Sequence, residues 1–343
     1  MKARQIVFPE PCKAALIERE IALPGPGKVL IEADCSLVSA GTERTLLKGA
    51  PQYPFQPGYS LVGRIASVGK GVTDFSVGDR VAASASHGDL VICDSDLAFK
   101  ISDDLPAEDA AFLTVGATAV FAVRLAEVTL GDPVLLFGQG LIGLIASQVA
   151  RYAGALPVFA VDVDRARLDL AQSLGVDHVF EAKDGEGLAD VVGRLPGGGV
   201  ASTIELSGAP VTIEQAVKLT RRRGRIVAAS LNPVGHMVNI YGEAWMKGLA
   251  FVGAYINSRP LRLDTLEMNP PSDWPLSCRE GGIFEGNEVG TTSGDTALAL
   301  EMIAHGRVKV APLVSERVTP HDAPDLFDRL LRSEVLGALI RWK

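Results

Sequence analysis

The rhythm of apolar and polar positions changes once along this chain. In the first ~115 residues, short apolar runs at Val29–Glu32, Leu61–Val68, Arg80–Ala83 and Leu90–Cys93 alternate with Gly, Pro and Asp turn signals. That spacing predicts a β-rich, barrel-like domain. From about Gly131, apolar runs alternate with helical segments. Strands are expected at Val134–Phe137, Val158–Val161, Asp177–Phe180, Ser202–Leu206 and Arg225–Ala229. Helices are expected at Leu141–Tyr152, Arg165–Leu174, Leu188–Leu195 and Val211–Thr220. Strands apolar on both faces and alternating with helices predict a parallel sheet covered on both sides, a doubly wound dinucleotide-type domain.

Beyond the apolar strand Leu249–Tyr255 this regularity fails. The stretch Ile256–Ser293 is broken by Pro and Gly and carries Arg259, Arg262, Arg279 and Trp274. Long irregular stretches in compact domains tend to be lids or binding segments. Arg262 and Trp274 are therefore the substrate candidates, the first to grip an anion and the second to stack on a ring. Helices resume at Asp295–His305 and Asp325–Arg332, and Ala338–Trp342 reads as a closing strand. The expected α/β architecture is a barrel-like catalytic domain, 1–119 and 258–343, around a Rossmann cofactor domain, 120–257.

Composition narrows the partners. The 343 residues carry a formal charge of −8, which disfavours nucleic acid or an anionic membrane. The run Arg221-Arg222-Arg223, between a helical and a strand pattern, reads as a solvated turn. Cys12, Cys35, Cys93 and Cys278 form no Cys-x-x-Cys pair, so neither a zinc ribbon nor a disulfide framework is indicated. The stretch Ala110–Val123 is too short to span a bilayer, and the first residues lack the apolar core of a signal peptide. A reduced, cytoplasmic protein is expected.

The chemistry concentrates at Gly138-Gln139-Gly140-Leu141-Ile142-Gly143. A lone glycine fingerprint is weak, but this one follows an apolar strand and opens a helix inside a βαβ unit. Gly138 permits the tight turn, Gly140 lets the backbone approach a diphosphate, and Gly143 lets helix and strand pack closely. The first N–H groups of the helix, at Leu141, Ile142 and Gly143, would bind the anion. Asp162 ends the next strand, where an acid accepts hydrogen bonds from the adenosine ribose and repels a 2′-phosphate, favouring NAD. Arg167, on the following helix, and Ser207, just past the strand Ser202–Leu206, complete the cofactor candidates.

These landmarks, with Gly78-Asp79-Arg80-Val81, Leu170-Ala171 to Leu174-Gly175 and Lys247-Gly248-Leu249, resemble the medium-chain alcohol dehydrogenase family over nearly the whole chain. Most members hold a catalytic zinc with Cys-Gly-Thr-Asp and Gly-His-Glu segments and a third ligand downstream. Here the matching stretches are Ala40-Gly41-Thr42-Glu43 and Gly58-Tyr59-Ser60, so the cysteine and the histidine are missing. The short segment Ala83–Leu97 leaves no room for the family's four-cysteine lobe. A catalytic zinc takes about three protein ligands, and the resemblance implies a zinc-free member. Gly41-Thr42-Glu43 with Pro57-Gly58-Tyr59 is most similar to the bacteriochlorophyllide dehydrogenase group, from which Ile256–Ser293 departs.

The implied activity is NAD-dependent oxidation of a secondary alcohol to a ketone, or the reverse, without a metal. Thr42 keeps the family's proton-relaying position, Tyr59 stands where a ligand would sit, and His87 on a Ser-His-Gly-Asp turn is the third catalytic candidate. Glu43 is read as a structural partner for an arginine. Two other readings stay open, an NAD(P)H-dependent enone or quinone reductase and a non-catalytic NAD(H)-binding protein. The expected partners are a small-molecule alcohol or ketone and a second copy of the chain, pairing through Leu249–Tyr255 as a homodimer.

Overall fold

A computed structural model describes residues 1–231, 238–259, 261 and 291–343. The chain divides into two compact units, Met1–Val115 with Ala299–Lys343, and Gly116–Leu298.

The first unit opens with an antiparallel hairpin, β1 (Lys2–Glu10) and β2 (Lys13–Glu20). The twelve-residue β3 (Lys28–Ser39) is the hub, pairing with β4 (Leu61–Val68) and with β6 (Leu90–Asp94). β4 continues through β5 (Arg80–Ala83) to β7 (Ala98–Lys100). Between β3 and β4 lies a helix absent from the apolar pattern, α1 (Ala40–Gly49). It buries only Glu43 and Leu47 among Gly, Thr and charged residues, so no apolar stripe marks it. The short α2 (Ala107–Ala110) precedes α3 (Leu113–Leu125), which is apolar nearly all round, as a fully packed helix is. The first boundary between the units falls inside α3.

The second unit alternates strand and helix. Its order is β8 (Val134–Phe137), α4 (Leu141–Tyr152), β9 (Val158–Asp162), α5 (Arg165–Ser173), β10 (His178–Glu181), α6 (Gly185–Gly193), β11 (Val200–Glu205), α7 (Pro210–Leu219), β12 (Thr220–Ala228) and β13 (Ala250–Gly253). All six strands are parallel, in the spatial order β10-β9-β8-β11-β12-β13. The strand order reverses between β8 and β11, and ligands bind such sheets beyond the carboxyl ends at that point. β13 is an edge strand. The Arg221–Arg223 run is not a turn, since it lies within β12, which starts at Thr220. Pairing with β11 resumes at Arg225 after an irregularity, and Arg223 adopts φ 58 there.

The chain then returns. Helix Thr292–Ala304 leads to β14 (Glu316–Val318), helix Ala323–Leu331 and β15 (Gly337–Arg341), which pairs antiparallel with β3. The second boundary between the units lies at 298/299. Within the second unit the Asp295 carboxylate pairs with both Arg124 and Arg259. Phe8, Phe327 and Ile31 sit in the first core, and Phe137, Phe159 and Ile226 in the second. Among the described residues no helix is long and apolar enough to cross a membrane.

Candidate functional site

In the second unit the glycine-rich turn is built as its spacing requires. Gly138 adopts φ +89, and a Cβ there would lie 2.7 Å from the Ser207 nitrogen. A Cβ on Gly143 would come within 2.0 Å of the Gly138 carbonyl oxygen, so these two glycines are dictated by close backbone contacts. Gly140 differs. It caps α4 at φ −73, and a Cβ there would meet nothing within 4 Å. The open space lies at the start of a helix whose first-turn N–H groups have no acceptor within the helix, a cradle suited to a phosphate. Leu141 is buried and Ile142 partly so at that start.

Asp162 is buried at the end of β9, and its carboxylate spans the turn. Oδ2 accepts from the Gln139 N–H at 2.6 Å and Oδ1 from the Asp164 N–H at 2.9 Å. Each oxygen keeps a second lone pair. Arg167 lies 3.5 Å from the Asp164 carboxylate. Ser207 is exposed past β11, its N–H and hydroxyl donating to Glu205. No sequence motif marks Glu205. Its buried carboxylate also accepts from the Gly208 N–H, Thr212 and Ser230, tying down the loop beside Gly138.

In the first unit the three catalytic candidates lie in one neighbourhood. Thr42 is in the first turn of α1, and the Ser39 and Thr42 side chains are the polar groups that act on the Tyr59 phenol. Burial pushes the phenol well above its ordinary range, the Glu43 carboxylate pushes it further, and the two hydroxyls offset part of this. Thr114 donates to the Tyr59 carbonyl at 2.6 Å, fixing the backbone. His87 is not on a solvated turn. Its ring is fully buried, with Nδ1 2.8 Å from the Ser36 hydroxyl and Nε2 2.8 Å from Glu43 Oε2. Among the described residues Glu43 pairs with His87 and not with an arginine. Its other oxygen accepts from the Ser39 N–H at 2.8 Å, reaching back over the helix start. The Trp342 indole donates to Ser36 at 3.0 Å and closes the cluster. Gly58 is required by His87, since a Cβ at its φ of +100 would lie 2.5 Å from the His87 nitrogen.

The remaining candidates stand apart. Arg259 is buried, its guanidinium paired with Asp295 and 3.8 Å above the Phe121 ring. Arg262, Trp274, Arg279 and Cys278 lie outside the described residues. No group of three His, Cys, Asp or Glu side chains converges among the described residues. Burial raises the Cys35 and Cys93 thiols to about 12, which keeps them protonated near neutral pH.

Comparison with known proteins covers both units. An alcohol dehydrogenase GroES-like domain model matches residues 25–128, and a zinc-binding dehydrogenase model matches residues 142–268. The (R,R)-butanediol dehydrogenase of Bacillus subtilis is 31% identical over 227 residues, 57% of this chain and 65% of that relative, so the match spans just under two thirds of its length. The alcohol dehydrogenase of Geobacillus stearothermophilus is 26% identical over 322 residues, 84% of this chain and 83% of its own. Among solved structures, a putative zinc-binding dehydrogenase from Sinorhizobium meliloti bound to NADP superposes with TM-score 0.78 at 20% identity, covering 99% of both chains. A short chain alcohol dehydrogenase from Escherichia coli complexed with NADH does so with TM-score 0.80 at 19% identity, again covering 99% of both. At these identities the structural likeness establishes the fold. With one family model on the barrel-like unit and the other on the cofactor unit, the chain belongs to the medium-chain alcohol dehydrogenase family.

Proposed function

We propose that this chain is a nicotinamide-dependent oxidoreductase that interconverts a secondary alcohol and its ketone without a catalytic zinc, using NAD in preference to NADP. One observation carries the reading. Where the family places a histidine ligand, this chain has Tyr59, a phenol on which the Ser39 and Thr42 hydroxyls act. The family model names zinc, but Ala40, Tyr59 and Ser60 do not make a zinc donor set. A nicotinamide cofactor fits better. Gly140 leaves room for a diphosphate on α4, and the Asp162 carboxylate at the end of β9 keeps acceptor capacity that a ribose could use. When bound, that cofactor supplies or accepts the hydride. Tyr59 then handles the proton at the substrate oxygen, with Thr42 and Ser39 orienting its hydroxyl.

The test is a panel of secondary alcohols, ketones and enones with NAD(H) and NADP(H), run with and without a strong chelator. Turnover of an alcohol–ketone pair is expected, unaffected by chelation and with NADH bound at least tenfold tighter than NADPH, about 1.4 kcal/mol. Asp162→Ala should narrow that gap. Stoichiometric zinc with chelator-sensitive turnover, or turnover confined to enones, would overturn the assignment.

The same reading makes the protein a homodimer. β13 is an edge strand, and Tyr241, Trp245, Phe251 and Tyr255 are exposed in its unit. An apolar edge is an aggregation hazard unless it is paired, and pairing with its own copy about a two-fold axis closes the assembly. Light scattering at micromolar concentration should give twice the chain's 36.2 kDa. A monodisperse particle of one chain mass would rule the dimer out.

A further inference from the structure

Two strand ends and a helix start meet at one carboxylate in the second unit. Glu205 is the last residue of β11 and is buried. Its Oε1 accepts the backbone N–H of Ser207 at 2.7 Å and of Gly208 at 3.1 Å, together with the hydroxyls of Ser207 and Thr212. Its Oε2 takes the hydroxyl of Ser230, just past β12. Thr212 lies in the first turn of α7. A buried carboxylate is costly unless charge-assisted hydrogen bonds hold it, and here five donors do. The loop they shape abuts the glycine turn, since a Cβ on Gly138 would lie 2.7 Å from the Ser207 nitrogen. The Leu206 N–H donates to the Phe137 carbonyl at 2.8 Å and the Ala209 N–H to the Ser207 hydroxyl at 3.0 Å. Every N–H from 206 to 209 is therefore engaged within this network.

The placement mirrors that of Asp162. β8 lies between β9 and β11 in the sheet. Asp162, ending β9, holds the Gln139 N–H on one side of the glycine turn, and Glu205, ending β11, holds Ser207 and Gly208 on the other. A doubly wound sheet divides a dinucleotide between its two halves, across the point where the strand order reverses. The acid on β9 stands on the adenosine half, which leaves the ends of β11 and β12 to the nicotinamide half. We propose that Glu205 is a positioning residue for the nicotinamide half of the cofactor, a buried anion that holds the 206–209 loop in one conformation beside the Gly138 turn. This rests on the nicotinamide-dependent reading above. Glu205 touches neither cofactor nor substrate in this scheme and acts through the backbone it holds. A loop ordered in advance spares the cofactor the entropy of ordering it, so affinity rises.

Glu205→Met and Glu205→Gln separate the hydrogen bonds from the bulk. Methionine fills a similar volume but is only a weak acceptor, whereas glutamine keeps one oxygen for the Ser207 and Gly208 N–H groups and can donate to the Ser230 hydroxyl. In Glu205→Met, fluorescence titration should show NADH bound at least tenfold more weakly, about 1.4 kcal/mol. ADP, which carries only the adenosine half and the diphosphate, should bind as it does to the wild type. KM for NAD should rise with kcat at saturating NAD nearly unchanged, and Glu205→Gln should recover most of the NADH affinity. Amide exchange at Ser207 and Gly208 should be slow in the wild type and fast in Glu205→Met, a readout that needs neither cofactor nor turnover. A folded Glu205→Met that binds NADH like the wild type, or that loses NADH and ADP alike, would overturn the proposal. If Glu205→Met does not fold, the double variant Thr212→Val with Ser230→Ala removes one donor from each oxygen, and unchanged NADH affinity there would overturn it equally. Normal NADH binding and turnover in Glu205→Met would sink the proposal alone, whereas a wild type that binds no nicotinamide dinucleotide would refute the reading beneath it as well.

Discussion

Tyr59→Phe is expected to lower kcat by about 10²–10⁴-fold, the usual share of a general acid–base group, with little change in NADH affinity. Thr42→Val should act in the same direction and less strongly, because it removes one hydroxyl partner of the phenol and leaves the phenol in place. The pH dependence has a definite sign. Burial raises the Tyr59 phenol above its ordinary range, so the proton is retained through neutral pH and is lost only in strongly alkaline solution. Ketone reduction needs the protonated phenol and should stay flat as pH rises through neutrality. Alcohol oxidation needs the phenolate and should climb towards the alkaline end. Steady-state rates in both directions across pH check this, and the climb should vanish in Tyr59→Phe. If both variants turn over like the wild type, the proton is handled elsewhere.

A pair of glycine substitutions should separate folding from cofactor binding. Gly143→Ala forces a Cβ to within 2.0 Å of the Gly138 carbonyl, and a backbone atom cannot swing aside. Overpacking of this kind costs roughly 3 kcal/mol, so the melting temperature should fall by several degrees and NADH binding should be severely weakened. Gly140→Ala meets nothing within 4 Å and keeps an allowed φ. It should leave the melting temperature unchanged, yet weaken NADH at least tenfold where its methyl group intrudes on the diphosphate. Thermal melts paired with fluorescence titrations of NADH measure both. A Gly140→Ala protein that binds NADH normally would mean that the diphosphate does not approach this turn.

Local rules made the cofactor unit readable. Its strands are apolar because helices cover both faces, and the glycines recur because two of them are held in backbone contact. Both signals are short-range, so the sequence alone determined the alternation, the turn and the acid at Asp162. The barrel-like unit was less readable for a physical reason. α1 carries no apolar stripe, β1 and β2 lie partly at the surface, and β3 runs well past Val29–Glu32 because its partners β4, β6 and β15 come from distant parts of the chain. The catalytic neighbourhood is the extreme case. A histidine on a Ser-His-Gly-Asp turn reads as solvated, and a Glu after Gly-Thr reads as a surface acid. Only the tertiary structure brings His87 between Ser36 and Glu43 and lays Trp342 from the last strand region against the same hydroxyl. Sequence periodicity reports which face of an element is apolar. It carries nothing about which two buried polar groups, 306 residues apart in Ser36 and Trp342, will satisfy one another.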